Sequence, residues 1–375
     1  MIVKNESGVI ERCLASVRDL ISYWVISDTG STDGTQELIR SALAGVPGEL
    51  HEEPWENFGH NRSLNISHAR GKADYLLLLD ADLVIRKNGP LPPLTGDAYM
   101  LRHAGEMEYR IKRLVRGDIH WRYEGVTHEY LTTDEPAGQE SLDALFIEDF
   151  ADGGSRHDKF ERDARLLSAE LERDPDNART VFYLAQTMRD MGRAPEAVDL
   201  YQRRADMGGW EEEVYYSLLQ VGVLKADTGD WPGGMDALVK AWESRPGRLE
   251  ACYELAARLR NQGRHHAAHA FARAGLGRPV PDDLLFVTPW VYRWGLLFEY
   301  SISAYGVGDW AGSLQACDRL LALPGLPEAH RLQALANREF AVRRLSAVLK
   351  PARSAPGRAS RGGAVKSKAR GRKRG

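Results

Sequence analysis

Apolar positions follow two different rhythms along the chain, and the change falls near residue 155. Before it, short apolar runs sit between turn-forming residues. "MIVK", "YWVIS", "GELHEE" and "YLLLL" read as strands on this basis. Between them lie segments of helical spacing. "GVIERCLASVRDL" carries Val9, Ile10, Leu14, Val17 and Leu20. "TQELIRSALAG" ends at Gly45, and "GHNRSLNISHARGK" turns Leu64, Ile66 and Ala69 towards one side. Strands alternating with helices predict a parallel sheet with helices on its faces for residues 1–155.

After residue 155 the strand signals stop. "HDKFERDARLLSAELERDPDN" predicts a helix with Phe160, Ala164, Leu167 and Leu171 on one stripe. Four later phrases each read as helix, glycine turn, helix, with the turns at Gly192, Gly229, Gly263 and Gly308. A spacing near 34 residues, with an insertion around "GRPVPDDLLFVTPW", resembles tetratricopeptide repeats. Such repeats stack into a solenoid, so residues 156–345 are expected to be all helical. The resemblance implies a peptide or protein partner on the concave side. The tryptophans of "GDWP" and "GDWAG" fit packing between repeats. Residues 346–375 are basic and poor in large apolar groups, which predicts a disordered tail.

Composition narrows the classes. The chain of 375 residues is 43% hydrophobic and 27% charged, as in globular domains. No run of about 18 apolar residues is present, so no integral membrane segment is expected. "MIVKNESGVIERC" does not read as a signal peptide. Cys13, Cys252 and Cys317 match neither a zinc spacing nor a disulfide framework, and a reducing, cytoplasmic setting is expected. His265 and His269 of "HHAAH" share a helical face without an evident third ligand, so they read as surface histidines.

The stretch "ADYLLLLDADLVI" raises the chemical question. An apolar run of this kind is expected at the centre of a parallel sheet, covered on both faces. It ends in Asp80 and Asp82, which an extended chain would point to the same side. Two carboxylates so close repel, and a divalent cation, Mg²⁺ or Mn²⁺, removes the conflict. Haloacid-dehalogenase-like phosphatases share an Asp-x-Asp after an apolar strand, but their motif lies near the chain start and is followed by different residues.

Upstream residues point elsewhere. "MIVKNES", "WVISDTGSTDGTQELI" and the later "DAD" occur in the order and spacing of family 2 glycosyltransferases, and "WENFGHNRSLNISHARGK" extends the match. The resemblance covers residues 1–150 and implies a GT-A fold (nucleotide-diphospho-sugar transferase, Rossmann-like), followed by the helical repeats. It implies transfer of a sugar from a nucleoside diphosphate sugar, a UDP-sugar first, to an acceptor, with inversion. It places Asp28, Thr29 and Ser31 by the base and ribose, with Gly30 and Gly34 shaping the turn. Lys4, Asn5, Glu6, Arg62 and Ala81 border the same pocket, and Asp80 and Asp82 hold the metal. Thr32 or Asp33 alternatively just caps the helix "GTQELI".

In "HWRYEGVTHEYL" the resemblance suggests Glu129 as the catalytic base, with His128 as alternative or positioning group and Glu124 third. Asp152 or His157 would supply a further metal ligand. Relatives carry several more residues before the "MIVKNES" motif, so a shortened first strand and an incomplete pocket edge are expected. The catalytic half is short, and its acceptor side is expected to draw on the repeats. The acceptor stays open between peptide, protein, glycan and small molecule. The competing reading is a non-catalytic repeat scaffold with a degenerate transferase head. A third makes the basic tail a polyanion-binding element.

Overall fold

The computed structural model describes residues 1–104, 109–150, 152–153 and 159–349. The chain divides into two compact units. One is Met1–Pro246 with Asp283–Phe286; the other is Gly247–Asp282 with the chain from Val287 onward.

The first unit begins with β1 (Ile2–Val3), α1 (Ile10–Val17), β2 (Trp24–Asp28), α2 (Thr35–Ala42), β3 (Gly48–Glu52), α3 (Phe58–Ala69) and β4 (Tyr75–Leu77). Strands β1, β2 and β3 form a parallel sheet in that order, with Ile2 opposite Ser27 and Trp24 opposite Gly48. The expected strand–helix alternation holds to this point. It then gives way to consecutive strands: β5 (Leu83–Lys87), β6 (Ala98–Ala104), β7 (Tyr109–Arg116), β8 (Arg122–Glu124), β9 (Tyr130–Thr132) and β10 (Gln139–Asp149).

These strands make a separate five-stranded sheet of order β4-β7-β6-β10-β5 and a small β8-β9 pair. In the larger sheet β6 and β10 run parallel, and the other pairs are antiparallel. The expectation of one parallel sheet is therefore corrected. Chain reversals without crossover helices favour antiparallel neighbours. Strand β4 is an edge strand, not a central one. Its apolar run has a different cause from the one expected. Leu76 packs with Ile66, Ala98 and Val115, while Tyr75, Leu77 and Leu79 face the cluster of Val17, Leu83 and Leu101. Both faces are covered although one edge has no strand partner.

Helix α1 joins the two sheets. Its spacing puts Ile10 and Leu14 among Val3, Ile26 and Ile39, and Cys13 and Val17 among Leu79, Leu83 and Leu101. All four are buried, and each such burial contributes roughly 1.5–3 kcal/mol. Burial also raises the Cys13 thiol pKa to about 12, which makes it a packing residue, not a nucleophile. In α3 the predicted apolar side is buried through Ile66 and Ala69, and a polar pair is buried with it. Asn61 and Asn65 also turn inward. Asn65 donates to Ser27 Oγ at 3.0 Å, and Asn61 ties the Pro54–Glu56 loop through two hydrogen bonds.

Helices α4 (Lys159–Arg173), α5 (Ala178–Asp190), α6 (Ala194–Asp206), α7 (Glu211–Asp227) and α8 (Trp231–Ser244) complete the first unit. The stripe of α4 is Asp163, Ala164 and Leu167, whereas Phe160 is exposed. Leu167, Phe182, Tyr201 and Val221 share a core with Val126 and Leu285. The first repeats and the loop between β8 and β9 therefore belong to one core, and the units do not divide at 155/156. Glu212 accepts hydrogen bonds from the amides of Leu284 and Leu285 at 2.8 and 2.7 Å, which anchors the returning stretch on α7.

The second unit holds α9 (Glu250–Asn261), α10 (His265–Ala274), a π-helical turn Val291–Gly295, α11 (Leu296–Gly306), α12 (Trp310–Ala322) and α13 (Glu328–Leu349). The four glycine turns read from the sequence all end helices with positive φ: +75° at Gly192, +97° at Gly229, +73° at Gly263 and +86° at Gly308. In each, the next residue's amide donates to a carbonyl five positions back, Arg193 to Met188 and Asp309 to Ala304 among them, at 2.8–2.9 Å. This geometry favours glycine. The aspartate of each "GDW" then caps the following helix. Helix α13 runs past the expected end of the repeats at 345, and the rest of the basic tail lies outside the described residues. Among the described residues no helix is long and apolar enough to cross a membrane.

Candidate functional site

The loops after β1 and β2 are laced together by short polar side chains. The amide of Asn5 donates to Ser31 Oγ, and its side-chain oxygen accepts from the Thr32 amide, both at 2.9 Å. Asn5 adopts φ +55°, a conformation asparagine tolerates better than most residues. Thr29 donates from its amide and hydroxyl to the Val3 carbonyl. Asp28 is buried; its Oδ1 accepts from the amides of Gly30 and Ser31 at 2.9 and 2.8 Å, and its Oδ2 has no hydrogen-bond partner. Burial alone would raise this carboxyl's pKa, but the hydrogen bonds from Ser31 and Gly30 outweigh it and hold the group below its ordinary range. Asp33 accepts from the Thr35 amide, hydroxyl and the Ser7 amide, so it fastens the start of α2. Gly30 and Gly34 take φ of +104° and +88°. A Cβ on either would meet open space, so conformation and not crowding calls for glycine.

Asp80 follows β4 by three residues. Its Oδ1 lies 2.5 Å from Arg62 Nη2 and its Oδ2 3.2 Å from Arg113 Nη1. The charge of Asp80 is thus met by two guanidiniums, from α3 and β7. Burial opposes ionisation, yet Arg62 and Arg113 overcome it and hold the Asp80 carboxyl well below the usual carboxylate range. Arg62 continues the chain of charges, its Nε lying 2.7 Å from Glu129 Oε1. Asp82 stands at the start of β5 beside Gly153, where a Cβ would fall 3.1 Å from Asp82 Oδ2.

These groups line one cavity of about 760 Å³. Of the residues expected at the site, Lys4, Asn5, Glu6, Thr29, Arg62, Asp80, Ala81, Asp82, His128 and Glu129 line it. Asp28 and Ser31 lie behind this wall and shape the turn that presents Thr29. Glu124 does not line it. Glu124 is bound by Arg122 at 2.7 Å and by the Tyr130 hydroxyl, and it faces a second cavity of about 610 Å³. Asp152 forms a bidentate pair with Arg12 at 2.6 and 3.0 Å. His157 lies outside the described residues. His128 takes φ +51° and stacks on Tyr183 of α5 with ring centroids 4.4 Å apart. Burial lowers its pKa, against the opposing pull of Asp163.

Sequence reasoning missed several lining residues. Arg113 and His103 project from β7 and β6, where nothing in the local pattern marks them. Burial first, and the Arg113 charge second, lower the His103 pKa to about 4. Lys159, Arg162 and Asp163 enter from α4, and Asp163 accepts from the Thr127 hydroxyl at 3.2 Å. An aspartate on the apolar stripe of α4 was the available signal. Helix α4, at the start of the helical region, thus supplies part of the cavity wall.

Residues 1–104 match the family model for Glycosyl transferase family 2. The chain is 29% identical over 303 residues to a TPR repeat-containing protein of Synechococcus elongatus, covering 78% of this chain and 68% of that protein. It is 24% identical over 226 residues to Glycosyltransferase SunS of Bacillus phage SPbeta, covering 54% of this chain and 51% of that protein. The chain therefore spans about half the length of that second relative. Among solved structures, MamA aligns at 16% identity over 52% of this chain and 95% of its own, with a TM-score of 0.34. The structure titled as YrrB, a TPR protein with an unusual peptide-binding site, aligns at 14% identity over 52% and 86%, also at 0.34.

Proposed function

We propose that this chain, whose residues 1–104 carry a family 2 glycosyl transferase domain, transfers a sugar from a nucleoside diphosphate donor, a UDP-sugar first, to an acceptor. One observation carries the reading. The strand-end loops, the Asp-x-Asp acids, Arg62 and Glu129 meet in a single cavity large enough for such a donor.

The donor's base and ribose lie against Thr29 and the loop that Asp28 holds in place. Asp80 and Asp82 are the residues that would hold Mn²⁺ or Mg²⁺. Their oxygens are hard donors suited to either ion, and Asp80 would exchange its contact with Arg62 or Arg113 to accept one. When bound, the ion supplies charge neutralisation of the diphosphate leaving group. Arg62, Arg113 and Lys4 place further positive charge at the same wall. Arg62 fixes Glu129 by their contact at 2.7 Å. Glu129 takes the proton from the acceptor as the acceptor attacks the anomeric carbon. The bond from that carbon to the diphosphate oxygen breaks, and configuration inverts. His128, stacked on Tyr183 and under burial, positions the segment that carries Glu129.

Calorimetry with uridine nucleotides tests this, with and without Mn²⁺, on the wild type and on Asp82→Asn. Metal-dependent binding that weakens by at least about tenfold in the variant is expected. Binding of no nucleoside diphosphate, or binding indifferent to metal and to Asp82, would refute it. A screen of donor hydrolysis across common nucleotide sugars then identifies the sugar. The two arginines on Asp80 are also what a non-catalytic head would show, and binding without turnover of any donor would favour that reading.

A further inference from the structure

We infer that β3 and α3 together form a binding site for a zinc-class divalent cation, held by His51, Glu53 and His68. Side chains alternate along a strand, so Glu49 and His51 project from β3 on one side, and Glu53 directly follows the strand's last residue. Strand β3 is the outer strand of its parallel sheet. The second half of α3 brings His68 to the same place. One ligand atom from each of His51, Glu53 and His68 lies within 4.8 Å of the other two.

The three ligand atoms are close enough together to share one ion. The imidazoles stack face to face, with centroids 3.9 Å apart and planes 3° from parallel. His68 Nε2 faces Glu53 Oε1 at 2.9 Å, and His51 Nε2 faces Glu49 Oε2 at 3.0 Å. In each pair a ring nitrogen and a carboxylate oxygen face one another, which is the arrangement a cation bridges once the intervening proton is lost. A shared ion at about 2.0–2.2 Å needs one imidazole to turn out of the stack, because each ring nitrogen binds in its own ring plane and the two planes are parallel. Glu49 is also bound by Lys72 Nζ at 2.5 Å and by the Tyr23 hydroxyl at 2.6 Å, so it is the weaker candidate for a ligand. All four side chains are partly exposed, which leaves a path for entry.

The site is separate from the cavity around Asp80, since none of these residues lines it. Its chemistry differs too. Imidazole nitrogens select zinc-class ions, whereas carboxylates alone suit Mg²⁺ and Mn²⁺. A bound ion would fasten the outer strand to the helix that carries Arg62. The inference does not rest on the proposed transferase activity.

The test is zinc uptake by the full chain, freed of metal by chelation, followed by titration and by the visible spectrum of the Co²⁺ form. One tightly held ion per chain is expected. His51→Gln and His68→Gln should each weaken it by at least about tenfold. His265→Gln/His269→Gln and Asp80→Asn/Asp82→Asn should leave it unchanged. Zinc should raise the thermal midpoint of the wild type and not that of the His51→Gln/His68→Gln double variant. Circular dichroism confirms that each variant is folded. Wild-type protein that takes up no zinc at micromolar concentration overturns the inference, as does uptake that survives the double variant or disappears with the α10 histidines.

Discussion

Asp80 ties the chemistry of the site to its stability. Its carboxyl is depressed on folding by Arg62 and Arg113, after burial has opposed them. A carboxyl depressed in this way adds stability that is fully present above its unfolded pKa, near 4, and is lost as pH falls below that value. Asp80→Asn should therefore cost on the order of 2 kcal/mol at pH 7. This is less than for a fully buried pair, because the side chain is 29% exposed and Arg62 keeps Glu129. The difference from wild type should shrink below about pH 4. Urea midpoints of both proteins between pH 7 and 3 check this, and a constant difference would show that the arginine pairs contribute nothing. At this scale the sequence was readable where motif and backbone coincide. Asn5, Thr29, Arg62, Asp80 and Glu129 meet as expected. Arg113 and His103 were not readable, because a charged residue on a strand looks the same whether it faces solvent or a buried acid. Glu124 was misplaced because its neighbours Arg122 and Tyr130, and not the cavity, hold it.

At the scale of elements, α3 is the part on which the site depends most. Its first turn packs so closely on the β8–β9 turn that a Cβ at Gly59 would lie 2.1 Å from the Gly125 carbonyl oxygen. The Phe58 amide also donates to the Val126 carbonyl at 3.1 Å. Gly59→Ala must push backbone against backbone, and it should destabilise the protein by about 1–3 kcal/mol. It should also displace Thr127–Glu129 and lower turnover more than donor affinity. Thermal melts together with kcat and donor Kd measure both, and an unchanged kcat would uncouple the turn from catalysis. Glycine turns between the repeat helices were legible because positive φ has few alternatives to glycine. The true neighbours of β4 were not legible. An apolar run reports cover on two faces and says nothing about which strands lie beside it.

For the whole molecule, the question is where the catalytic part ends. Sequence rhythm changes near residue 155, but Val126 shares a core with Leu167 and Phe182, and Lys159, Arg162 and Asp163 line the cavity. Residues 1–155 expressed alone should therefore expose the apolar surface under α4 and α5 and bind donor at least about tenfold more weakly than the full chain. Donor calorimetry and dye binding compare the two. Full donor affinity in the short form would return the boundary to residue 155. Periodicity locates a change of architecture, whereas a shared core depends on contacts between distant segments that no local pattern records.

Because α4 both lines the Asp80 cavity and shares a core with α5, the two parts are not exchangeable cassettes. A chimera joined at the change of rhythm would carry a foreign floor beneath its own Thr127–Glu129 segment. A crossover placed beyond α5 would bring the whole chamber along intact. Divergence of the later hairpins thus leaves the cavity wall alone, while substitutions in α4 alter it.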